Sequence, residues 1–292
     1  ELVRRLQPRS SSRAIPATSL ALLAFLGAGY SHLSRDKHDG LCFGETVKQA
    51  LKFILAAQNA DGAIGTGLDH TLATLALSEA YGLTGSQIFK EQAQRAVDAL
   101  CAAQDTDGGW GDTIDTTWAV MALKSAEISD LPAPRTVLDG ARRRIRAVTS
   151  DDGRAGRVSK GDWDAKKQSH DTATACGMVA RIFIDRNKQD PVLEKASALI
   201  AADLPGAKDD DIGYRYFSGH ALFQFDGPGG ERWKSYWKAH REAMVPLQAT
   251  AGDGCRRGSW PATRAWGGVE TTALGALSLE FYSRYPLVFS GK

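Results

Sequence analysis

Gln104-Asp105-Thr106-Asp107-Gly108-Gly109-Trp110-Gly111 decides the reading of this chain, because Gln58-Asn59-Ala60-Asp61-Gly62-Ala63-Ile64-Gly65 carries the same pattern 46 residues earlier. The register persists beyond the turn. Asp69 maps onto Asp115, Ala76 onto Ala122 and Leu77 onto Leu123 at that same offset. A degenerate copy runs from Gln248 through Asp253-Gly254 to Gly258-Ser259-Trp260. Such a period signals stacked supersecondary units, none of which can bury its apolar face alone.

Each turn is flanked by helical patterns of two kinds. Glu45–Gln58 and Glu91–Gln104 place apolar residues at three- and four-residue spacings with Lys, Gln and Arg between them, which predicts amphipathic outer helices. Thr71–Tyr81, Thr116–Ala126, Thr172–Ile184 and Glu270–Tyr282 are rich in Ala, Gly, Thr and Leu and carry few charges, as helices buried on most sides require. Ser19–Tyr30 opens that inner series and His220–Phe225 reads as a short or broken member, making six. Val137–Val148, Val192–Asp203 and Arg232–Gln248 supply further outer helices, with Glu1–Gln7 as the stump of another. Crowded small-residue helices alternating with half-wet ones suit two concentric layers, and six hairpins close the ring. The predicted class is all-α, an (α/α)6 toroid occupying residues 1–292 as a single domain.

Composition narrows the function classes. The chain has 292 residues, 36 Lys+Arg against 34 Asp+Glu, a net charge of +2 and 43% hydrophobic residues. That excludes a disordered tail and gives no general reason to expect nucleic acid or an anionic membrane. Gly is 30 residues against 10 Pro, which fits many tight reversals between regular elements. Cys42, Cys101, Cys176 and Cys255 are far apart, so no disulfide framework is expected and the setting reads as reducing and cytoplasmic. The most apolar run, Ala17–Tyr30, falls short of the roughly 20 residues that span a bilayer. It is a core helix. No signal peptide precedes it, and a start at Glu1 suggests a domain of a longer polypeptide.

The Gln-x-x-Asp-Gly-x-Trp turn at 104–110, its weaker copies at 58–64 and 248–260, and Asp-Thr-Thr-Trp-Ala-Val-Met-Ala-Leu at 115–123 resemble the prenyltransferase and squalene-cyclase repeat. The resemblance runs from about residue 17 to 285. It implies the toroid, with the Gln and Trp of each turn tying successive repeats together. It says much less about function, because the same ring serves triterpene cyclases, protein prenyltransferase β subunits, thioester domains and non-catalytic relatives.

Each of those chemistries demands particular residues. The cyclase resemblance implies Asp-x-Asp-Asp-Thr with a strong central acid, and the matching stretch is Asp112-Thr113-Ile114-Asp115-Thr116. Its central position is Ile114, which has no proton to give. The next repeat offers Ser169-His170-Asp171-Thr172, and imidazolium is too weak an acid to protonate an alkene. Asp209-Asp210-Asp211 follows Pro205-Gly206-Ala207-Lys208 and reads as a solvated loop. The triterpene cyclases also use two toroids where this length covers one. A prenyltransferase-type zinc site needs Asp, Cys and His ligands; Asp253-Gly254-Cys255 lies in a repeat turn with no His after it. The thioester string Cys-Gly-Glu-Gln is missing from its nearest counterpart, Cys42-Phe43-Gly44-Glu45-Thr46.

What the inner-helix starts share is a polar column. Asp69, Asp115 and Asp171 align, followed by Thr18, His70, Thr116, Thr172 and Glu270, with His170 beside them and His220 joining less firmly. In a toroid these converge on one mouth. They could bind a metal, a phosphate-bearing headgroup or a peptide, with His70 and His220 as the candidate zinc ligands. Each Asp also reads as an N-cap, accepting from orphan helix N–H groups. Trp118, in the first turn of an inner helix, could line the cavity, as could Tyr214, Tyr216 and Phe217. The charged stretch 149–168 lacks an apolar period and could lie over the same mouth.

The expected function is therefore a binding or protein-interaction module that lacks the cyclase acid and needs no cofactor. Its partner would be another protein, or the rest of a longer polypeptide. The alternative is a divergent transferase or cyclase-like enzyme acting on an isoprenoid or other apolar small molecule in the central cavity, with zinc as a possible assistant. An open cavity with convergent polar groups separates the second reading from the first.

Overall fold

Stretches rich in Ala, Thr, Ser and Gly form helices that pack closely on several sides, and six of them make a closed ring. The computed structural model describes residues 13–163, 170–206, 211–263, 265–284 and 286–289. The inner helices are α1 (Ala14–Gly27), α3 (Leu68–Thr84), α5 (Thr113–Ile128), α7 (Thr172–Asp185), α9 (Ile212–Asp226) and α11 (Gly268–Leu279). Each packs on the next, and α11 returns to α1. The outer helices are α2 (Phe43–Ala56), α4 (Lys90–Ala102), α6 (Arg135–Val148), α8 (Pro191–Ala202) and α10 (Glu231–Met244). A short α12 (Phe281–Arg284) follows, and Lys37–His38 and Leu41–Cys42 form a two-residue antiparallel ladder, β1 and β2, ahead of α2.

Burial follows composition. Every residue of α3 from His70 through Ser78 is buried, whereas α4 buries Ala93, Ala96, Val97 and Leu100 along one stripe. The ends follow local chemistry as well: Asp190 caps α8 ahead of Pro191, and Gly85 closes α3 in the left-handed conformation.

Some boundaries differ from the sequence reading. Helix α1 starts at Ala14 and ends at Gly27, and the predicted Glu270–Tyr282 helix breaks at Glu280 into α11 and α12. The predicted Arg232–Gln248 helix ends at Met244, and a 3-10 turn, Val245–Leu247, contains Pro246. The short His220–Phe225 member is the full-length α9, with Tyr214, Tyr216 and Phe217 inside it. Its polar positions hide the apolar pattern because they are paired through space: the Tyr214 hydroxyl donates to Asp203 O at 2.6 Å and the Arg215 guanidinium to Gly206 O at 2.5 Å. The predicted outer stump Glu1–Gln7 lies outside the described residues.

Outer helices cover the inner seams in turn. Helix α4 lies on α3 and α5, α6 on α5 and α7, and α8 on α7 and α9, while α2 packs on α1 and α10 on α9. Among the described residues no helix covers the seam between α11 and α1.

Candidate functional site

The repeat turns are built by recurrent bonds. Asp61 accepts from Ala63 N–H and Asp107 from Gly109 N–H, at 3.0 and 2.8 Å. The Gln58 amide donates to Gly62 O and to Gln92 O on α4; that of Gln104 donates to Gly108 O and to Val137 O on α6. Each Gln thereby holds its own turn against the next outer helix. Trp110 Nε1 donates to Leu100 O and Trp260 Nε1 to Met244 O, so each Trp ties the turn back to the preceding outer helix.

A further copy of this turn is hidden in the charged 149–168 stretch. Ser150 N–H donates to Arg154 O as Asp105 N–H does to Gly109 O, and Asp152 accepts from Arg154 N–H at 3.1 Å. Thr149, Asp152, Gly153, Ala155 and Gly156 thus stand where Gln104, Asp107, Gly108, Trp110 and Gly111 stand. Gly156 O and Arg157 O accept from Thr113 Oγ1, and Arg157 pairs with Asp112 at 2.7 Å, so this turn lies over the start of α5. Residues 164–168 lie outside the described residues.

The polar column divides on closer placement. Asp112, not Asp115, caps α5, accepting from Ile114 and Asp115 N–H; Asp171 caps α7; and α3 has Gly67 at its cap position rather than Asp69. Asp69 and Asp115 instead pack over the turn glycines Gly65 and Gly111. Burial raises Asp69, and burial together with the Asp112 carboxylate pushes Asp115 up to about 6, against an opposing pull from Arg157. His70 Nδ1 accepts from Ile64 N–H at 3.1 Å, the bond that Thr116 Oγ1 makes to Trp110 N–H, Thr174 to Ala155 N–H and Thr272 to Trp260 N–H. His70 is therefore part of a turn clasp, and burial lowers its pKa. The clasp aligns Thr174 and Thr272 with His70, rather than Thr172 and Glu270. Glu270 is buried beside Gly267. His170 stacks on Tyr214 at 4.2 Å and pairs with Asp203 at 2.9 Å. Asp211, from the acidic run, caps α9 and accepts from Thr172 Oγ1; Asp209 and Asp210 lie outside the described residues.

Trp118 and His220 sit away from that mouth, deep in the ring. Trp118 on α5 stacks on Tyr216 at 5.4 Å and meets Phe217 edge-on at 4.9 Å, reaching past α7 to α9. Thr172–Gly177 of α7 is all small residues, which lets the larger rings meet. His220 lies among Phe183, Tyr216 and Phe281, and burial brings its pKa down to about 3, so it is neutral at physiological pH. Beyond it, Arg284 of α12 donates to Leu23 O on α1 and to Glu79 on α3, bracing the opposite end of the ring. Glu280 rises to about 7, chiefly through burial, with Arg284 lowering it and Glu79 raising it. Among the described residues no three His, Cys, Asp or Glu side chains are grouped to hold a metal ion, and none of the helices is long and apolar enough to cross a membrane.

Among the described residues, open space lies along the seam between α11 and α1. A groove of about 1180 Å³ runs between Ala21, Ala24 and Phe25 of α1 and Val269, Ala273 and Ala276 of α11. Trp260 lines it too, and Gln248, Asp253, Cys255, Arg256 and Glu280 add polar groups. The sequence reading placed no site here. The signal available was the count of outer helices, one fewer than the inner ones once Glu1–Gln7 is set aside.

The ring of six inner helices and its partial outer layer can be compared with known folds. A type II terpene cyclase, MstE from Scytonema, in complex with geranylgeranyl dihydroxybenzoate, matches with a TM-score of 0.59 and 13% identity, over 94% of this chain and 90% of that one. The fold is an α/α toroid. An inactive variant of an α-1,6-mannanase of Salegentibacter sp. HEL1_6, in complex with α-1,6-mannotriose, matches with a TM-score of 0.63 and 12% identity over 92% and 88%. A GH76 α-mannanase of Bacteroides thetaiotaomicron gives 0.62 and 14% over 92% and 86%. At such identities the likeness fixes the fold and leaves the chemistry open. No family model matches the chain, and no curated protein does.

Proposed function

We propose that this toroid is a protein-interaction module whose docking site is the open α11/α1 seam. The observation that carries the reading is the contrast between a centre occupied by Trp118, Tyr216, Phe217 and His220, all at most 1% exposed, and an apolar groove outside the ring. Contiguous apolar surface rimmed by polar groups marks association sites. The four free thiols suit a reducing, cytoplasmic setting. The reading calls for no cofactor.

The groove is tested with 8-anilinonaphthalene-1-sulfonate, whose fluorescence rises in apolar sites. The full chain binds it saturably, and Ala276→Trp, which fills the groove floor, removes most of the signal while the circular dichroism is unchanged. Undiminished binding in that variant sinks the reading.

A second reading, a divergent enzyme acting on an apolar substrate, has Asp115 in its favour. A half-buried acid raised to about 6 at a helix start is the kind of group that active sites tune. Turnover of a polyprenyl substrate that Asp115→Asn abolishes would replace the first reading by this one.

A further inference from the structure

Four repeat turns are closed onto the inner helix that follows by the same bond, and one of the four uses a group that can take up a proton. Thr116 Oγ1 accepts from Trp110 N–H, Thr174 Oγ1 from Ala155 N–H and Thr272 Oγ1 from Trp260 N–H, at 3.0 to 3.1 Å. In the turn at 58–65 the acceptor is His70 Nδ1, at 3.1 Å from Ile64 N. A hydroxyl keeps its lone pairs at any ordinary pH, whereas an imidazole loses its one lone pair on protonation.

The Ile64 N–H fixes the tautomer. Nδ1 must hold the lone pair, so Nε2 carries the proton, with the Ala96 carbonyl of α4 beside it, and His70 has no lone pair left for zinc. His70 is 4% exposed and Ile64 fully buried, so a proton on Nδ1 would set two N–H groups against each other in a buried space. The first turn of α3 adds a penalty, because the positive end of the helix dipole disfavours imidazolium. Asp61 in the turn and the Ala96 carbonyl favour it, and burial outweighs both. The other charges on the surrounding elements are few. Asp69 follows the turn on α3, and α5 contributes Asp115 at the mouth; burial raises the pKa of both. Helix α4 has Arg95, which holds Asn59 O and Ala60 O, and the exposed Asp98, bonded to Gln94. Helix α1 carries no charged side chain.

We propose that His70 is a proton-sensitive clasp: protonation of Nδ1 breaks its bond to Ile64 and frees the entry to α3, while the turns clasped by threonine stay closed. That entry depends on its clasp more than the others do. Asp112, Asp171 and Asp211 cap α5, α7 and α9 through their carboxylates, whereas α3 has Gly67 at its cap position. The rest of the turn is held independently by Gln58, Asp61 and Arg95, which confines the change to Ile64–Gly67 and the first turn of α3, at the mouth that carries Asp69. Neutral His70 supports the fold above its ordinary pKa of 6.5, and the contribution is lost as pH falls from there through the lowered folded-state value.

Amide hydrogen exchange of the full chain, read by NMR as protection relative to an unstructured peptide, tests the clasp. From pH 7.5 to 5.5 the Ile64 N–H is expected to lose about tenfold in protection, the factor for one proton taken up on opening at the ordinary histidine pKa. The Trp110 and Ala155 N–H groups, clasped by threonine, lose none over that range. His70→Thr installs the hydroxyl used in the other turns and should hold Ile64 protection constant. Buried, neutral His220 and His240 also favour unfolding in acid, but they lower protection in every turn alike. Ile64 protection that does not fall relative to Trp110 overturns the proposal, and so does a fall that persists in His70→Thr. Should that variant not fold, the ring nitrogen shifts of His70 in the unaltered chain decide: titration of Nδ1 together with Ile64 protection supports the clasp, and titration apart from it overturns the clasp.

Discussion

Asp115 shows how far a single side chain departs from its sequence-level reading. Its place after Asp112-Thr113-Ile114 invites comparison with a catalytic acid, and its place before Thr116 invites an N-cap. Tertiary structure gives the cap to Asp112 and leaves Asp115 half-buried beside it, with its pKa near 6. The stability consequence has a definite sign. The folded-state pKa lies above the ordinary 3.8, so the protonated form favours the fold below about pH 4, and that contribution is lost as pH rises through 6. Asp115→Asn should therefore stabilise the protein by about 1 kcal/mol at pH 7.5, after discounting for partial exposure, and by nothing at pH 3.5. Urea unfolding at the two pH values measures the difference. An equal effect at both would mean that the carboxyl is not desolvated.

At the scale of elements, the turn at 149–156 is the clearest case of structure that was written in the sequence and obscured there. Asp152-Gly153 and Gly156 keep the spacing of Asp107-Gly108 and Gly111, but Thr149 and Ala155 replace the Gln and Trp that make the pattern conspicuous, and the surrounding charges suggest a wet loop. Gly153 sits at φ +94°, in the left-handed region, with the backbone of α8 pressed against it. Gly153→Ala should cost about 3 kcal/mol, as much as Gly108→Ala, through positive φ and the clash with Ala196 together. Thermal melts of the two variants compare them directly. A neutral Gly153→Ala would return this segment to the class of ordinary loops. Helix α9 teaches the opposite lesson: its Tyr and Arg positions conceal a full helix because their partners are remote in sequence.

On the scale of the whole molecule, α12 acts as a brace. Arg284 reaches from the last helix of the described residues to Leu23 and Glu79 on the first and second inner helices, so α12 ties together helices on either side of the place where the ring closes. Arg284→Ala leaves Glu79 partly buried beside Glu280 without its cation, and should destabilise by about 3 kcal/mol. Adding Glu79→Gln should recover part of the loss, since it removes the stranded charge. Denaturant melts of the single and double variants give the coupling; strict additivity would show that the pair carries no joint role.

The sequence by itself determined the repeat, the alternation of inner and outer helices and the toroid, because turn glycines and the periodicity of burial are local properties. The absence of a central cyclase acid at Ile114 was equally legible, being a matter of residue identity. Only the tertiary structure decided which acid caps a helix, which histidine clasps a turn and where open space lies. Those outcomes depend on contacts between residues far apart in the chain, and no local pattern records that Trp118 meets Tyr216 across the ring or that, among the described residues, no helix covers the seam between α11 and α1.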